Sequence, residues 1–249
     1  MNLAFLGLFG TLMAAGAWRV ARSPRPIIRR LIYLLIHCCY RLRFRGRRFI
    51  PATGPALVVC NHVSFMDALV VGGASPRPLR FLMDRPIYDS LWLNWLFRLV
   101  GAIPVDSDRH DPGSVRRALE EVSRALRNGD VVMLFPEGRL TPDGDVHAFR
   151  RGLETILARD PVPVIPAGLA GLWGSWTSHC EGPALSKRPR RFRARVALYF
   201  GEPVPPRLAR RDRMEARVRA LKAEADGWAC PVSQGLNSKG SGSKHSGES

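Results

Sequence analysis

The sequence predicts an α/β domain, a mixed sheet flanked by helices, preceded by an N-terminal helical hairpin. Val58–Cys60, Val131–Phe135 and Val162–Leu169 are short apolar runs of strand length and composition, and each stops at a polar or Gly/Pro turn. In Asp111–Gly129 the residues Val115, Ala118, Leu119, Val122, Ala125 and Leu126 recur at helical spacing, behind a capping Asp111 and a first-turn Pro112. Helix then strand, repeated, is the order of α/β layering. The hairpin rests on two apolar segments at the start of the chain, joined by a basic, proline-containing link.

In chain order, Leu3–Trp18 is apolar and carries no charge before Arg19, so it lacks the basic start of a secretory signal. It falls short of the roughly 20 residues needed to cross a bilayer and reads as a membrane-dipping or marginally spanning helix. After the link Arg19–Pro26, the segment Ile27–Tyr40 has an apolar body of Leu31, Leu34, Leu35 and Ile36 flanked by Arg29, Arg30, Arg41 and Arg43. Such a helix suits a membrane interface, with its arginines among lipid phosphates; a buried helical hairpin is the alternative. The expected division is 1–42 for membrane-associated helices, 43–228 for the α/β domain and 229–249 for a disordered tail.

Arg43–Arg48 is a basic, strand-like approach to the turn at 51–55, which feeds the stretch Ala56–Leu69, ALVVCNHVSFMDAL. The expected pattern is a strand through Cys60, a turn at Asn61–Ser64 and a helix after Ser64. His62 then stands at a strand's exit, where α/β proteins collect function. Asp67 follows five residues later, close enough to hold one imidazole nitrogen and leave the other as a base. The plainer alternative makes His62 a satisfied polar residue, Ser64 a helix cap and Asp67 a first-turn acid favoured by the helix dipole.

Leu79–Met83 reads as a further strand and Leu91–Val100 as a helix with Trp92, Trp95 and Leu99 on one side, expected in the core rather than as interfacial anchors. The strand Val131–Phe135 ends at Pro136-Glu137-Gly138-Arg139. Gly138 lets the backbone approach an anion, and Arg139 offers a planar fork suited to phosphate oxygens. Ionised Glu137 cannot bind phosphate and is expected to hold Arg139, a backbone amide or an acceptor hydroxyl. A tight turn is the alternative for these residues. His147, Arg150, Arg151 and Gly152 precede a helix bearing Leu153, Ile156 and Leu157. Arg193–Phe200 alternates like a strand, and Arg211–Trp228 is a basic amphipathic helix.

The segment NHVSFMD at 61–67 resembles the His-x4-Asp signature of the glycerolipid acyltransferase family, best known from the PlsC-type 1-acylglycerol-3-phosphate acyltransferases. GAIPV at 101–105, FPEG at 135–138 and VIPAGL at 164–169 resemble the family's second, third and fourth motifs, in order, within Arg43–Pro203. The resemblance implies a glycerolipid acyltransferase-like fold and an O-acyltransferase. Its acyl donor would be a thioester on coenzyme A or acyl carrier protein, with no other cofactor. Its acceptor would be a lysophospholipid hydroxyl, in first place 1-acylglycerol-3-phosphate, in phospholipid biosynthesis or remodelling. His62 and Asp67 would be catalytic, and Glu137, Gly138, Arg139, Arg109 and Arg151 would bind substrate.

The chain departs from the family where the third motif runs Glu137-Gly138-Arg139-Leu140-Thr141 rather than acid, Gly, Thr or Ser, then Arg. It departs again where Asp106, Ser107 and Asp108 separate the second motif from Arg109. The Glu-Gly-Arg variant, with GLWGSW at 171–176, resembles bacterial lysophospholipid acyltransferase modules. Lysophosphatidylethanolamine, glycerol-3-phosphate and lyso-ornithine lipid are alternative acceptors. A noncatalytic membrane lipid-binding protein would need the basic surface and the anchor but not the His62/Asp67 pair.

A formal charge of +17 and a pI near 11.1 on 249 residues call for anionic partners. With no recognisable nucleic-acid module, those partners are membrane lipid and phosphorylated substrates rather than nucleic acid. Five cysteines without a C-x-x-C pair predict neither structural zinc nor a disulfide framework, and no metal ligand cluster is visible. Ser64 lacks a Gly-x-Ser-x-Gly elbow, so a cap is expected there rather than a nucleophile. The arginines around the hairpin predict the cytoplasmic membrane, with the active site on its cytoplasmic side.

Overall fold

The computed structural model describes residues 25–91, 94–105, 112–175, 178 and 193–230. Leu3–Trp18, Trp92, Arg109, Asp111 and the tail from Ser233 lie outside them. Helix α1 (Arg25–Cys39) runs directly into edge strand β1 (Tyr40–Arg45). Strand β2 (Ala56–Cys60) leads to α2 (Asp67–Ala74), then β3 (Leu79–Asp84), the single turn α3 (Arg85–Tyr88), α4 (Asn94–Val100) and β4 (Ile103–Val105). Helix α5 (Pro112–Arg127) returns to β5 (Val131–Leu134), followed by α6 (Gly152–Arg159), β6 (Val164–Ala170), β7 (Ala194–Phe200) and α7 (Arg211–Ala229).

The seven strands form one sheet in the order β1-β7-β6-β2-β5-β3-β4, with parallel neighbours except at β6–β7. A central strand walled on both faces must be apolar at every position. β2 and β6 are accordingly buried throughout. Val58, Met133, Ile165 and Leu198 pack under α1 and α2 through Ile36, Val70 and Val71. Leu57, Val59, Val132 and Val164 pack on the other face against α5, α6 and α7 through Val122, Leu126, Ile156, Met214 and Val218. Gly168 in β6 permits this second layer: a Cβ there would lie 2.3 Å from the Lys222 backbone nitrogen, so the backbone of α7 rests directly on the strand.

Three expectations need correction. The helix after the β2 turn begins at Asp67 rather than just after Ser64, because Phe65 and Met66 are still in the turn. Trp95 is 61% exposed rather than in the core, and no residue of α4 is buried. β7 does not alternate: Val196–Phe200 is buried throughout because α7 covers the face that would otherwise meet solvent. Among the described residues no helix is long and apolar enough to cross a membrane. In α1 the buried Ile36 faces the core, while Leu31 and Leu34, each 58% exposed, turn an apolar stripe outward.

Candidate active site

β2 delivers its last residues to the carboxyl end of the parallel strands, and its exit is clamped by a side chain that imitates backbone. Asn61 is buried; its Nδ2 donates to the Leu169 carbonyl at 2.9 Å, and its Oδ1 accepts from the Leu169 N–H at 2.8 Å. The β2–β6 ladder thereby continues one step past the strand, and the next residue, His62, leaves at a set angle. The His62 ring lies on Phe135 with centroids 4.0 Å apart and planes inclined by 13°.

Asp67 folds back from the first position of α2. Its Oδ2 accepts from His62 Nδ1 at 2.8 Å, from the Val63 N–H at 2.7 Å and from the Ser64 N–H at 2.9 Å. An ionised carboxylate only accepts, so Nδ1 carries a proton and the neutral imidazole has its lone pair on Nε2. The Asp67 side chain is fully buried, while that of His62 is 19% exposed, so a buried anion backs an imidazole that reaches solvent. Ser64 Oγ accepts from the Met66 N–H at 3.1 Å, a turn-capping contact.

The loop after β5 closes around His62 from the other side. Glu137 Oε1 accepts from the His62 N–H and Oε2 from the His147 N–H, both at 3.0 Å. The Thr141 N–H donates to the His62 carbonyl at 2.9 Å. Both backbone polar groups of His62 are therefore held by one loop. Thr141 Oγ1 bonds Asp143 Oδ1, which also lies 2.9 Å from His147 Nε2, so the loop is cross-linked to itself. Gly138 turns with φ +67°, and the Arg150 side chain lies where a Cβ would stand, with Cδ 2.9 Å from that point.

Burial raises the Glu137 carboxyl above the usual carboxylate range, against the pull of the His147 and His62 N–H groups. A raised folded pKa means that the folded chain holds this proton more firmly than the unfolded chain does. The resulting stability is complete below the unfolded value of about 4.3 and is lost as pH rises through the folded value. Relative to Glu137→Gln, which does not titrate, the wild-type urea midpoint is expected to fall as pH rises above the unfolded value of about 4.3. Parallel pH profiles for the two proteins would contradict this assignment.

A buried carboxylate, an imidazole whose Nε2 is left by the Asp67 contact and an arginine-bearing loop meet at a strand exit, an arrangement that can take a proton from a hydroxyl beside an anion. Residues 41–170 match the family model described as Acyltransferase, over half of the chain. The chain belongs to the acyltransferase family. It is 29% identical over 148 residues to the chloroplastic 1-acyl-sn-glycerol-3-phosphate acyltransferase LPAT1 of Arabidopsis thaliana, covering 59% of this chain and 41% of the relative. It is 32% identical over 144 residues to 1-acyl-sn-glycerol-3-phosphate acyltransferase alpha of Mus musculus, covering 53% of this chain and 48% of the relative. The chain spans about half the length of the curated relatives it matches. The crystal structure of the 1-acyl-sn-glycerophosphate acyltransferase PlsC from Thermotoga maritima has the same fold. Its TM-score is 0.65 at 23% identity, over 91% of this chain and 89% of that one.

In this acyltransferase-family chain, His62, Asp67 and Glu137 come together as one hydrogen-bonded unit, and Glu137 is bonded to two backbone amides. Gly138 and Arg139 lie on the exposed part of the same loop. Arg151 is exposed immediately before α6, one residue beyond the Arg150 that packs on Gly138. Arg109 lies outside the described residues. Sequence reasoning missed Asn61 as the clamp, Phe135 as the ring's platform and the Asp143–His147 cross-link. A buried-strand run ending in Asn could have signalled the first; the other two depend on how the loop folds.

Proposed function

We propose that the chain is an O-acyltransferase that moves a fatty acyl group from a thioester donor to the free hydroxyl of a lysophospholipid, in first place 1-acylglycerol-3-phosphate. The observation that carries this reading is the 2.8 Å contact between His62 Nδ1 and the buried Asp67 Oδ2, which leaves Nε2 as the base. Nε2 takes the acceptor's proton as the hydroxyl oxygen bonds to the thioester carbonyl carbon. The tetrahedral adduct collapses with cleavage of the carbon–sulfur bond, and the departing thiolate receives the proton back from the imidazolium. The products are an ester and a free thiol, with no acyl-enzyme between them. Asp67 holds the productive tautomer and stabilises the transient imidazolium.

The acceptor's phosphate is assigned to the loop bearing Arg139, two residues before the Thr141 whose N–H holds the His62 carbonyl. The exposed stripe of α1, with Leu31, Leu34 and Leu35, supports work at a membrane surface that supplies the acceptor. We place the site on the cytoplasmic side, where coenzyme A and acyl carrier protein thioesters occur.

The test is mass spectrometry of the products that purified protein forms from a palmitoyl thioester and a panel of lysolipids. The expected result is thioester-dependent formation of phosphatidic acid, with slower use of lysolipids whose phosphate carries a further headgroup. Transfer to none of the panel would overturn the reading. In the same assay Arg139→Ala is expected to raise the acceptor KM about tenfold or more, the loss of charge-assisted hydrogen bonds, and Arg139→Lys less. A KM change confined to the thioester would move Arg139 to the donor side.

A further inference from the structure

The hydrogen bonds that seat His62 close into a ring. The His62 N–H donates to Glu137 Oε1 and the His147 N–H to Glu137 Oε2, both at 3.0 Å. The His147 imidazole returns through Nε2 to Asp143 Oδ1 at 2.9 Å, and the same oxygen accepts from the Thr141 hydroxyl at 2.8 Å. The Thr141 N–H then donates to the His62 carbonyl at 2.9 Å, which completes the circuit. Every member except His62 belongs to the loop between β5 and α6.

Arg139 stands on the short turn between Glu137 and Thr141, the two residues that hold the N–H and the carbonyl of His62. Its distance from the base therefore depends on the ring staying closed. Glu137 and Thr141 are buried, whereas the side chains of Asp143 and His147 are 54% and 30% exposed, so their link is where the ring can open without uncovering a buried polar group. The Asp145 N–H, the Thr141 hydroxyl and His147 hold the Asp143 carboxyl well below the usual carboxylate range. An ionised carboxylate only accepts, so Nε2 of His147 carries a proton, and the link stands whether that imidazole is neutral or charged.

Short polar side chains also bond one another simply to shape a turn, and an exposed ion pair contributes little to global stability. The turn here is shaped by closer neighbours: Thr141 Oγ1 bonds Asp143 and accepts from the Gly144 N–H at 3.1 Å. Its tip is pressed against an aromatic ring, since Gly144 turns at φ +90° and a Cβ there would lie 2.8 Å from the Trp173 side chain. Closure comes from the His147 side chain, which ties the far end of the loop back to its middle. Such closure matters for rate, because a misplacement of about 1 Å in the reacting geometry can cost on the order of 10²-fold.

We propose that Asp143 and His147 are positioning residues, whose contact holds Arg139, the assigned phosphate ligand, at a set distance from His62, so that the acceptor hydroxyl meets Nε2. This deepens the transferase reading, on which it rests. A glutamine side chain carries its amide nitrogen where Nε2 of histidine stands, whereas the asparagine nitrogen falls short. His147→Asn and Asp143→Ala are therefore expected to lower kcat about tenfold or more and to raise the acceptor KM, with the thioester KM unchanged. His147→Gln should restore most of both, and the urea midpoints should change little. The double variant Asp143→Ala/His147→Asn should lose no more than either single change, because the same link is broken once. A merely structural role differs: a smaller folded fraction lowers kcat and leaves both KM values alone. That pattern, equal losses in the Gln and Asn variants, additive losses in the double variant or wild-type kinetics in His147→Asn each overturn the proposal. Hydrogen–deuterium exchange separates it from the transferase reading. If wild type transfers acyl groups to no acceptor, that reading fails, while the ring still stands or falls on whether His147→Asn, but not His147→Gln, speeds exchange at the His62 and Thr141 amides.

Discussion

His62→Ala is expected to lower kcat by about 10²–10⁴ and to leave the chain folded. The contacts that seat this residue run through its backbone, to Glu137 Oε1 and from the Thr141 N–H, and alanine keeps both. What alanine removes is the ring on Phe135, the Nδ1–H that Asp67 Oδ2 accepts and the Nε2 lone pair. The loss should therefore fall on kcat, with acceptor KM changing little, because the phosphate is assigned to the Arg139 loop rather than to the ring. Steady-state rates alongside circular dichroism check this. Wild-type turnover in a folded variant would remove His62 from the mechanism.

Asp67→Asn is expected to cost a similar factor of about 10²–10⁴ in kcat and more stability than the His62 change, which removes only one of the three hydrogen bonds to Oδ2. Oδ2 accepts three hydrogen bonds, while Oδ1 is buried with no hydrogen-bond partner among the described residues. If the asparagine oxygen takes the Oδ2 place, its NH2 is buried unpaired, at about 1–3 kcal/mol. With the amide reversed, NH2 meets the Val63 and Ser64 N–H groups, and the imidazole must turn its proton to Nε2, where the base is needed. In either arrangement the negative charge that stabilises imidazolium is gone. The measurement is kcat together with the urea midpoint; an unchanged kcat would reduce Asp67 to a helix-start residue.

The sheet was legible because its central strands are covered on both faces, which leaves uninterrupted apolar runs such as Ala56–Cys60 and Val164–Ala170. α5 was legible from its one-sided apolar period. β7 hid its burial because its expected alternation is a statement about one covered face, and α7, arriving from later in the chain, covers the second. Trp95 was misjudged because side-chain type argues for burial only where a neighbouring layer exists, and α4 has no buried residue. At the site, the His62–Asp67 contact followed from five-residue spacing across a turn, a local constraint. The two-amide grip of Glu137 spans 75 residues to His62 and 10 to His147, so spacing could name its possible partners without choosing among them.

In the proposed reaction the acyl group passes directly from thioester to acceptor, with His62 as base and no acyl-enzyme. This direct transfer is tested by following thiol release and protein mass together when wild type and His62→Ala meet a palmitoyl thioester with and without lysophosphatidic acid. The expected result is thiol release only when the acceptor is present, one thiol per phosphatidic acid formed, no gain in protein mass, and near-complete loss of both products in His62→Ala. Thiol released without acceptor, together with a protein heavier by one palmitoyl group, would contradict it.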